Sequence, residues 1–83
     1  MPLAIIYETY QTPIKAHKLK FAPNFEAFKE KVKIECELDD IDNYIFIEKS
    51  IGREIEDQED YNLMLKDLND RKKIEINIVS KNK

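Results

Sequence analysis

The segment "NYIFIEKSIGREIEDQEDYNLML", Asn43 to Leu65, holds the one glycine of the chain, Gly52, between an apolar run and a dense set of acids. Its opening part, "YIFIEK", is short and rich in β-branched and aromatic residues, the composition of a strand. Ser50, Ile51 and Gly52 then mark a turn, because glycine accepts the left-handed backbone geometry that tight turns demand. "GREIE" follows as a short strand, and Asp57 is placed to cap a helix in which Tyr61, Met64, Leu65 and Leu68 recur along one face.

Working outward, "KIEINIV" alternates cleanly, with Ile74, Ile76 and Ile78 on one side, which fits a strand buried on one face. At the other end, "LAIIYETY" and "IKAHKLKF" are two strand-like runs separated by Gln11, Thr12 and Pro13, and predict a hairpin. Alternation in the second run sets Lys15, His17, Leu19 and Phe21 on one face and Ile14, Ala16, Lys18 and Lys20 on the other. Leu19 and Phe21 then face the core, Lys18 and Lys20 face water, and the stem of Lys15 reaches outward. Asn24 is an N-cap candidate, and Phe25, Phe28, Val32 and Cys36 recur at helical spacing, predicting an amphipathic helix from Phe25 to about Leu38.

The element order is ββαββαβ, an α+β class. A helix on one face of a mixed sheet, with the last strand lying centrally beside the first, is the ubiquitin-like β-grasp roll. With 83 residues, 42% of them hydrophobic, the chain has room for one compact domain over 1–83, with a polar tail at 80–83 and no large active site. The predicted core comprises Leu19, Phe28, Val32, Phe46, Ile76 and Ile78.

A formal net charge of −3 and a pI near 5.2 argue against a dedicated nucleic-acid binder. The opening "MPLAIIYETY" is too briefly apolar for a membrane span and lacks the basic flank of a signal peptide, so a cytoplasmic protein is expected. One cysteine excludes an internal disulfide, no Cys/His spacing predicts a structural zinc site, and no cofactor is expected. Charge is segregated along the chain. Gln11 to Lys33 carries six Lys against two Glu, Glu35 to Asp70 carries two Lys and one Arg against thirteen acids, and the end from Arg71 is again basic. Such asymmetry bears on association and solubility.

Individual residues leave alternatives open. Glu54, Glu56, Asp57, Glu59 and Asp60 form a docking face or, in part, complement a helix dipole. Lys15, Lys18 and Lys20 form a complementary patch or protect an edge strand from aggregation. Calcium does not fit "EKSIGREIEDQE", where Lys49, Ile51 and Arg53 interrupt the oxygen ligands. Cys36 lies on the apolar helix stripe and is expected as a small buried hydrophobe, with His17 a half-buried strand residue and no second histidine to complete a relay. Tyr7, Tyr10 and Tyr44 lack a basic groove for stacking bases and are expected to pack in the core.

The succession of strand, "SIG" turn, short strand, acidic "EDQED", short helix and isoleucine-rich last strand resembles the carboxyl-terminal half of the PB-one (Phox-and-Bem-type) interaction domain. The resemblance covers nearly the whole chain in element order. It implies a non-enzymatic scaffolding module of the signalling type. In that family an acidic loop and helix on one molecule dock onto basic residues of the first two strands of another, often head to tail. Gly52 matches the loop glycine, Asp57, Glu59 and Asp60 match the acids that open the second helix, and His17 and Lys18 match the basic pair of the second strand. Ser50, Ile51 and Arg53 stand where loop acids would be, and Tyr7 stands at the first-strand lysine position, which implies weak self-association. The implied partner is a protein, either another domain of this type or a second copy, with no nucleic acid and no membrane. The alternative is a different ubiquitin-like adaptor, of the small-GTPase-binding or doublecortin type, that uses sheet or edge-strand contacts. A covalent modifier fits less well, because "VSKNK" lacks a terminal diglycine.

Overall fold

A computed structural model of the chain describes residues 3–66 and 73–81. The strands are β1 (Leu3–Glu8), β2 (Lys15–Lys20), β3 (Tyr44–Glu48), β4 (Arg53–Ile55) and β5 (Lys73–Ser80); the helices are α1 (Phe25–Glu35) and α2 (Gln58–Lys66), with a single 3₁₀ turn at Ile41–Asn43. The strands form one mixed sheet in the order β2-β1-β5-β3-β4. β1 and β5 are parallel neighbours at its centre, and the other pairs are antiparallel. This α+β arrangement is compatible with a β-grasp-like fold. Among the described residues no helix is long and apolar enough to cross a membrane.

The alternation of side chains decides which face of the sheet the helices cover. Ala4 and Ile6 of β1, Ile74, Ile76 and Ile78 of β5, Phe46 of β3 and Ile55 of β4 all point to one face and are buried there. α1 lays Phe25, Phe28 and Val32 on them, and α2 adds Tyr61 and Met64. Five of the six predicted core residues are buried, and Leu19 packs against the core from β2 while remaining partly exposed. Tyr10 and Tyr44 pack against the core with ring centroids 5.0 Å apart, whereas Tyr7 lies on the outer face of the sheet. Leu68, expected on the α2 stripe, lies outside the described residues.

Polar groups fix the helix ends. The Asn24 side chain accepts from the Ala27 N–H at 2.8 Å, as an N-cap should. α1 then ends at Glu35, short of the predicted Leu38, because the backbone turns left-handed at Glu37 (φ 55°). The Leu38 N–H returns to the Lys33 carbonyl at 3.0 Å and the Glu37 N–H to the Ile34 carbonyl at 3.3 Å. Those two bonds are the Schellman closure, here with a glutamate where glycine is usual. The closure leaves Cys36 as the cap residue, beside the turn end of the β1–β2 hairpin.

Gly52 is left-handed as well (φ 68°), and its N–H closes the β3–β4 turn on the Glu48 carbonyl at 2.8 Å. Glu48 itself is unexpected. It lies on the core face of β3 with 1% of its surface exposed, and its Oε1 accepts from Arg53 Nη2 across the hairpin at 2.8 Å. Arg53, which departs from the acidic pattern of the resemblance, is thus the counter-charge of a buried carboxylate.

Candidate functional site: two charged edges and a Glu-His-Cys cluster

The acids of the opening segment gather where β4, an edge strand, runs into α2. Glu54, Glu56, Asp57 and Glu59 are exposed and Asp60 is half-buried. They divide into two kinds. Asp57 Oδ1 accepts from the Asp60 N–H at 2.9 Å, as an N-cap does, and Asp60 Oδ2 accepts from the Glu56 N–H at 3.1 Å, so one oxygen of each side chain is engaged at the helix start. Among the described residues Glu54, Glu56 and Glu59 cap no backbone N–H. Among the described residues none of the five acids forms an ion pair.

The crowding has an electrostatic signature. The Glu56 carboxyl is held above its usual range by a hydrogen bond with Glu54, by the Glu54 charge, by slight desolvation, and by the charges of Asp60 and Asp57. A carboxyl raised in this way weakens the fold when ionised and relieves it as pH falls through its folded-state value. In the undocked chain acidification is therefore expected to discharge this end earlier than an isolated glutamate would discharge, and docking onto a cation would reverse the shift. Glu54→Gln is expected to lower the Glu56 titration midpoint, followed by side-chain carboxyl NMR; an unchanged midpoint would contradict the assignment.

The lysines occupy the other edge of the sheet. Lys18 and Lys20 of β2 point to the outer face, paired in register with Ile5 and Leu3 of β1. Lys31 of α1 joins them by donating to the Lys20 carbonyl at 3.1 Å. Lys15 and His17 project to the helix-covered face, in phase with Leu19. Among the described residues Lys15, Lys18 and Lys20 form no ion pair. Tyr7, at the position where the resemblance expects lysine, donates to Glu75 Oε2 at 2.5 Å, and Lys49 Nζ stands 4.8 Å from its ring centroid. The Tyr7 hydrogen bond is the main cause that lowers the Glu75 carboxyl and raises the Tyr7 hydroxyl.

His17 separates from the surface lysines. Its Nε2 meets Glu8 Oε2 in direct contact, and its Nδ1 lies 3.3 Å from Glu35 Oε2. Glu8 has 3% of its surface exposed, and its second oxygen, Oε1, accepts from the Tyr10 hydroxyl at 2.5 Å and from Gln11 Nε2 at 2.8 Å. Burial pushes the Glu8 carboxyl up, but the hydrogen bonds from Tyr10 and His17 and the charges of His17 and Lys15 outweigh it, and the net shift is downward. Cys36 completes the group: one ligating atom from each of Glu8, His17 and Cys36 lies within 4.8 Å of the other two. The cluster opens onto a pocket of about 440 Å³.

Sequence spacing missed this cluster, since a hairpin and a helix separate its members. The available clue was cross-strand: Glu8 pairs with Lys15 and Ile6 with His17, which makes Glu8 and His17 diagonal neighbours on one face. The arrangement does not activate a nucleophile. Burial first, then the charges of Glu8 and Glu35, push the Cys36 thiol up to about 12, so it stays protonated at neutral pH. Compared with models of protein families and with curated proteins, the chain matches none of them.

Proposed function

We propose that the chain is a ubiquitin-like interaction module of the PB-one type, non-enzymatic, which docks electrostatically onto a protein partner and, more weakly, onto a second copy of itself. The observation that supports it is topological. The acids sit at the β4–α2 edge and the outward lysines on β2, at opposite ends of the order β2-β1-β5-β3-β4. Four inter-strand spacings separate the two edges by roughly 19 Å. Unlike patches on opposite edges cannot satisfy each other within one molecule, and their contact between molecules is heterologous, a head-to-tail geometry that propagates unless one face is blocked. Complementary charge of this kind sets partner choice and encounter rate.

Beside Glu54 and Glu56 lies a depression of about 340 Å³ that Phe25, Phe46 and Ile55 help to line, an apolar floor suited to the stem of an incoming lysine. Asp57 and Asp60 maintain the helix cap, so Glu54, Glu56 and Glu59 are assigned the larger share of the contact. A charge-reversed Glu56→Lys/Glu59→Lys chain is expected to keep the wild-type circular dichroism and to lose association about 10-fold or more, from the removal of two rim contacts. About 0.5 M salt, where the Debye length is near 4 Å, is expected to weaken the wild-type contact in the same direction. Unchanged association of the reversed chain at low salt, by sedimentation equilibrium, would remove the acidic face from the account.

A second reading, a ubiquitin-like adaptor that binds through its sheet, rests on the outer face, where Ile45 pairs with Val79 in register and both are partly exposed, next to Ile47. Binding that survives all charge reversals but fails in Ile45→Lys would favour it.

A further inference from the structure

Glu8, His17 and Cys36 come from β1, β2 and the cap of α1, and they bring a carboxylate oxygen, an imidazole nitrogen and a thiol sulfur to one point. That mixture is the donor set of zinc-class divalent ions, which take four ligands at tetrahedral angles and bind sulfur and nitrogen more readily than magnesium or calcium do. We propose that these three residues form a binding site for a zinc-class divalent cation, with a fourth coordination position open to the adjoining pocket.

Binding rearranges the cluster. Bonds of about 2.0 to 2.3 Å at tetrahedral angles set ligand atoms roughly 3.3 to 3.7 Å apart, so Glu8 Oε2 and His17 Nε2, now in direct contact, must part to admit the ion while Cys36 closes on it. That is a side-chain adjustment, and Cys36, at a helix cap, is placed to make it.

Two of the three ligands are also oriented from behind. Tyr10 and Gln11 hold Glu8 by Oε1, which leaves Oε2 as the ligating oxygen. Glu35 faces His17 Nδ1, so the tautomer that donates from Nδ1 to Glu35 presents the Nε2 lone pair on the side of Glu8. A carboxylate behind a ligating imidazole is the arrangement that fixes ring orientation and raises ligand basicity in metal sites. A hydrogen-bonded pair that only accommodates a buried glutamate has no need of the second carboxylate or of the thiol. Binding would displace the thiol proton and the hydrogen between His17 Nε2 and Glu8 Oε2, the former to solvent and the latter to Nδ1 or solvent according to the starting tautomer.

The surrounding charge favours a dication. Glu8, Glu35, Glu37, Asp39 and Asp40 line the pocket, against one lysine, Lys15. Glu8 and the Cys36 thiolate would neutralise the ion, and the outer carboxylates lower its local energy further.

The test is to titrate the reduced 83-residue chain at neutral pH with Co²⁺, a spectroscopically visible substitute, and then with Zn²⁺. The expected result is one Co²⁺ per chain, intense tetrahedral d–d absorption and a thiolate-to-cobalt charge-transfer band, all bleached by one equivalent of Zn²⁺. Cys36→Ser is expected to lose the charge-transfer band while keeping the wild-type circular dichroism. Glu35→Gln, which leaves all three ligands in place, is expected to keep the band and to weaken binding about 10- to 100-fold. Saturation of the wild type without a charge-transfer band, or Cys36→Ser binding Co²⁺ as tightly as wild type with the same spectrum, would overturn the proposal. If Cys36→Ser is misfolded, His17→Gln gives the same decision: an unchanged d–d spectrum and affinity overturn it, and their loss with the fold intact supports it.

Discussion

Phe28→Ala is expected to cost about 3 to 5 kcal/mol of folding stability, the range for removing a fully buried aromatic side chain. Phe28 has no exposed surface, and its ring lies 5.6 Å from Phe21 in a stacked pair, 6.2 Å from Phe46 edge-on and 5.4 Å from Tyr61. These neighbours come from the start of the α1 approach, from β3 and from α2, so the cavity would open where both helices and the sheet meet. The surroundings cannot collapse easily, because the Tyr61 hydroxyl is tied to the Ala22 carbonyl at 2.6 Å and the Phe25 N–H to Gln58 Oε1 at 2.7 Å. Small domains have about 5 to 15 kcal/mol in total, so the variant is expected to be marginal or unfolded at ambient temperature. Urea melts check this; a loss below about 1 kcal/mol would mean that α1 does not seal the sheet in this way.

The second large effect concerns the ion pair under the β3–β4 hairpin. Arg53→Leu is expected to destabilise by about 3 kcal/mol, the lower end of the range for leaving a buried charge without its partner. Glu48 is 1% exposed, and after the change the Ser50 hydroxyl, 3.4 Å away, still donates to its carboxylate, but the counter-charge is gone. The lower end applies because the Arg53 side chain is 30% exposed and water can follow it inward. Replacing both residues, Glu48→Leu with Arg53→Leu, is expected to recover most of the loss, since a buried pair and an apolar pair of similar volume are often close in energy. Denaturant melts over the four chains of this cycle give the coupling directly. A single variant as stable as wild type would show that the carboxylate is not held by Arg53.

These two sites differ in how plainly the sequence announces them. Phe28 lies in a 3.6-residue pattern with Phe25 and Val32, and the alternation of Ile74, Ile76 and Ile78 marks β5 as a strand with one covered face. Periodicity reports burial well when every buried residue is apolar. It misreports Glu8 and Glu48, which keep the phase of a core position but carry carboxylates satisfied by partners that periodicity does not register, Tyr10 and His17 for Glu8 and Arg53 for Glu48. The end of α1 is hidden for a related reason. Glu37 adopts the left-handed geometry that glycine or asparagine would have advertised, so the helix stops before the apolar pattern does.

The candidate sites follow the same division. That acids cluster from Glu54 to Asp60 is visible along the chain, but which of them cap α2 depends on side-chain geometry at Asp57 and Asp60. Lysine alternation in β2 separated Lys18 and Lys20 from His17, and the outward direction of the lysines is the one observed. That the acids and lysines lie on opposite edges depends on β5 inserting between β1 and β3, a long-range pairing that no local pattern encodes. The meeting of His17 with Glu35 and Cys36 depends on how α1 crosses the hairpin, again a packing result.

Opposite-edge docking, the central claim, is tested most directly by light scattering on an equimolar mixture of two neutralised chains, Glu56→Gln/Glu59→Gln and Lys18→Gln/Lys20→Gln, which blocks one face in each without creating a charge-swapped pair. Each retains one intact face, so each alone is expected to have the monomer mass at concentrations where the wild type gains mass. The mixture is expected to form a heterodimer and nothing larger, and to dissociate in about 0.5 M salt. A wild type that stays monomeric across the concentration series, together with a mixture that does the same, would contradict the account.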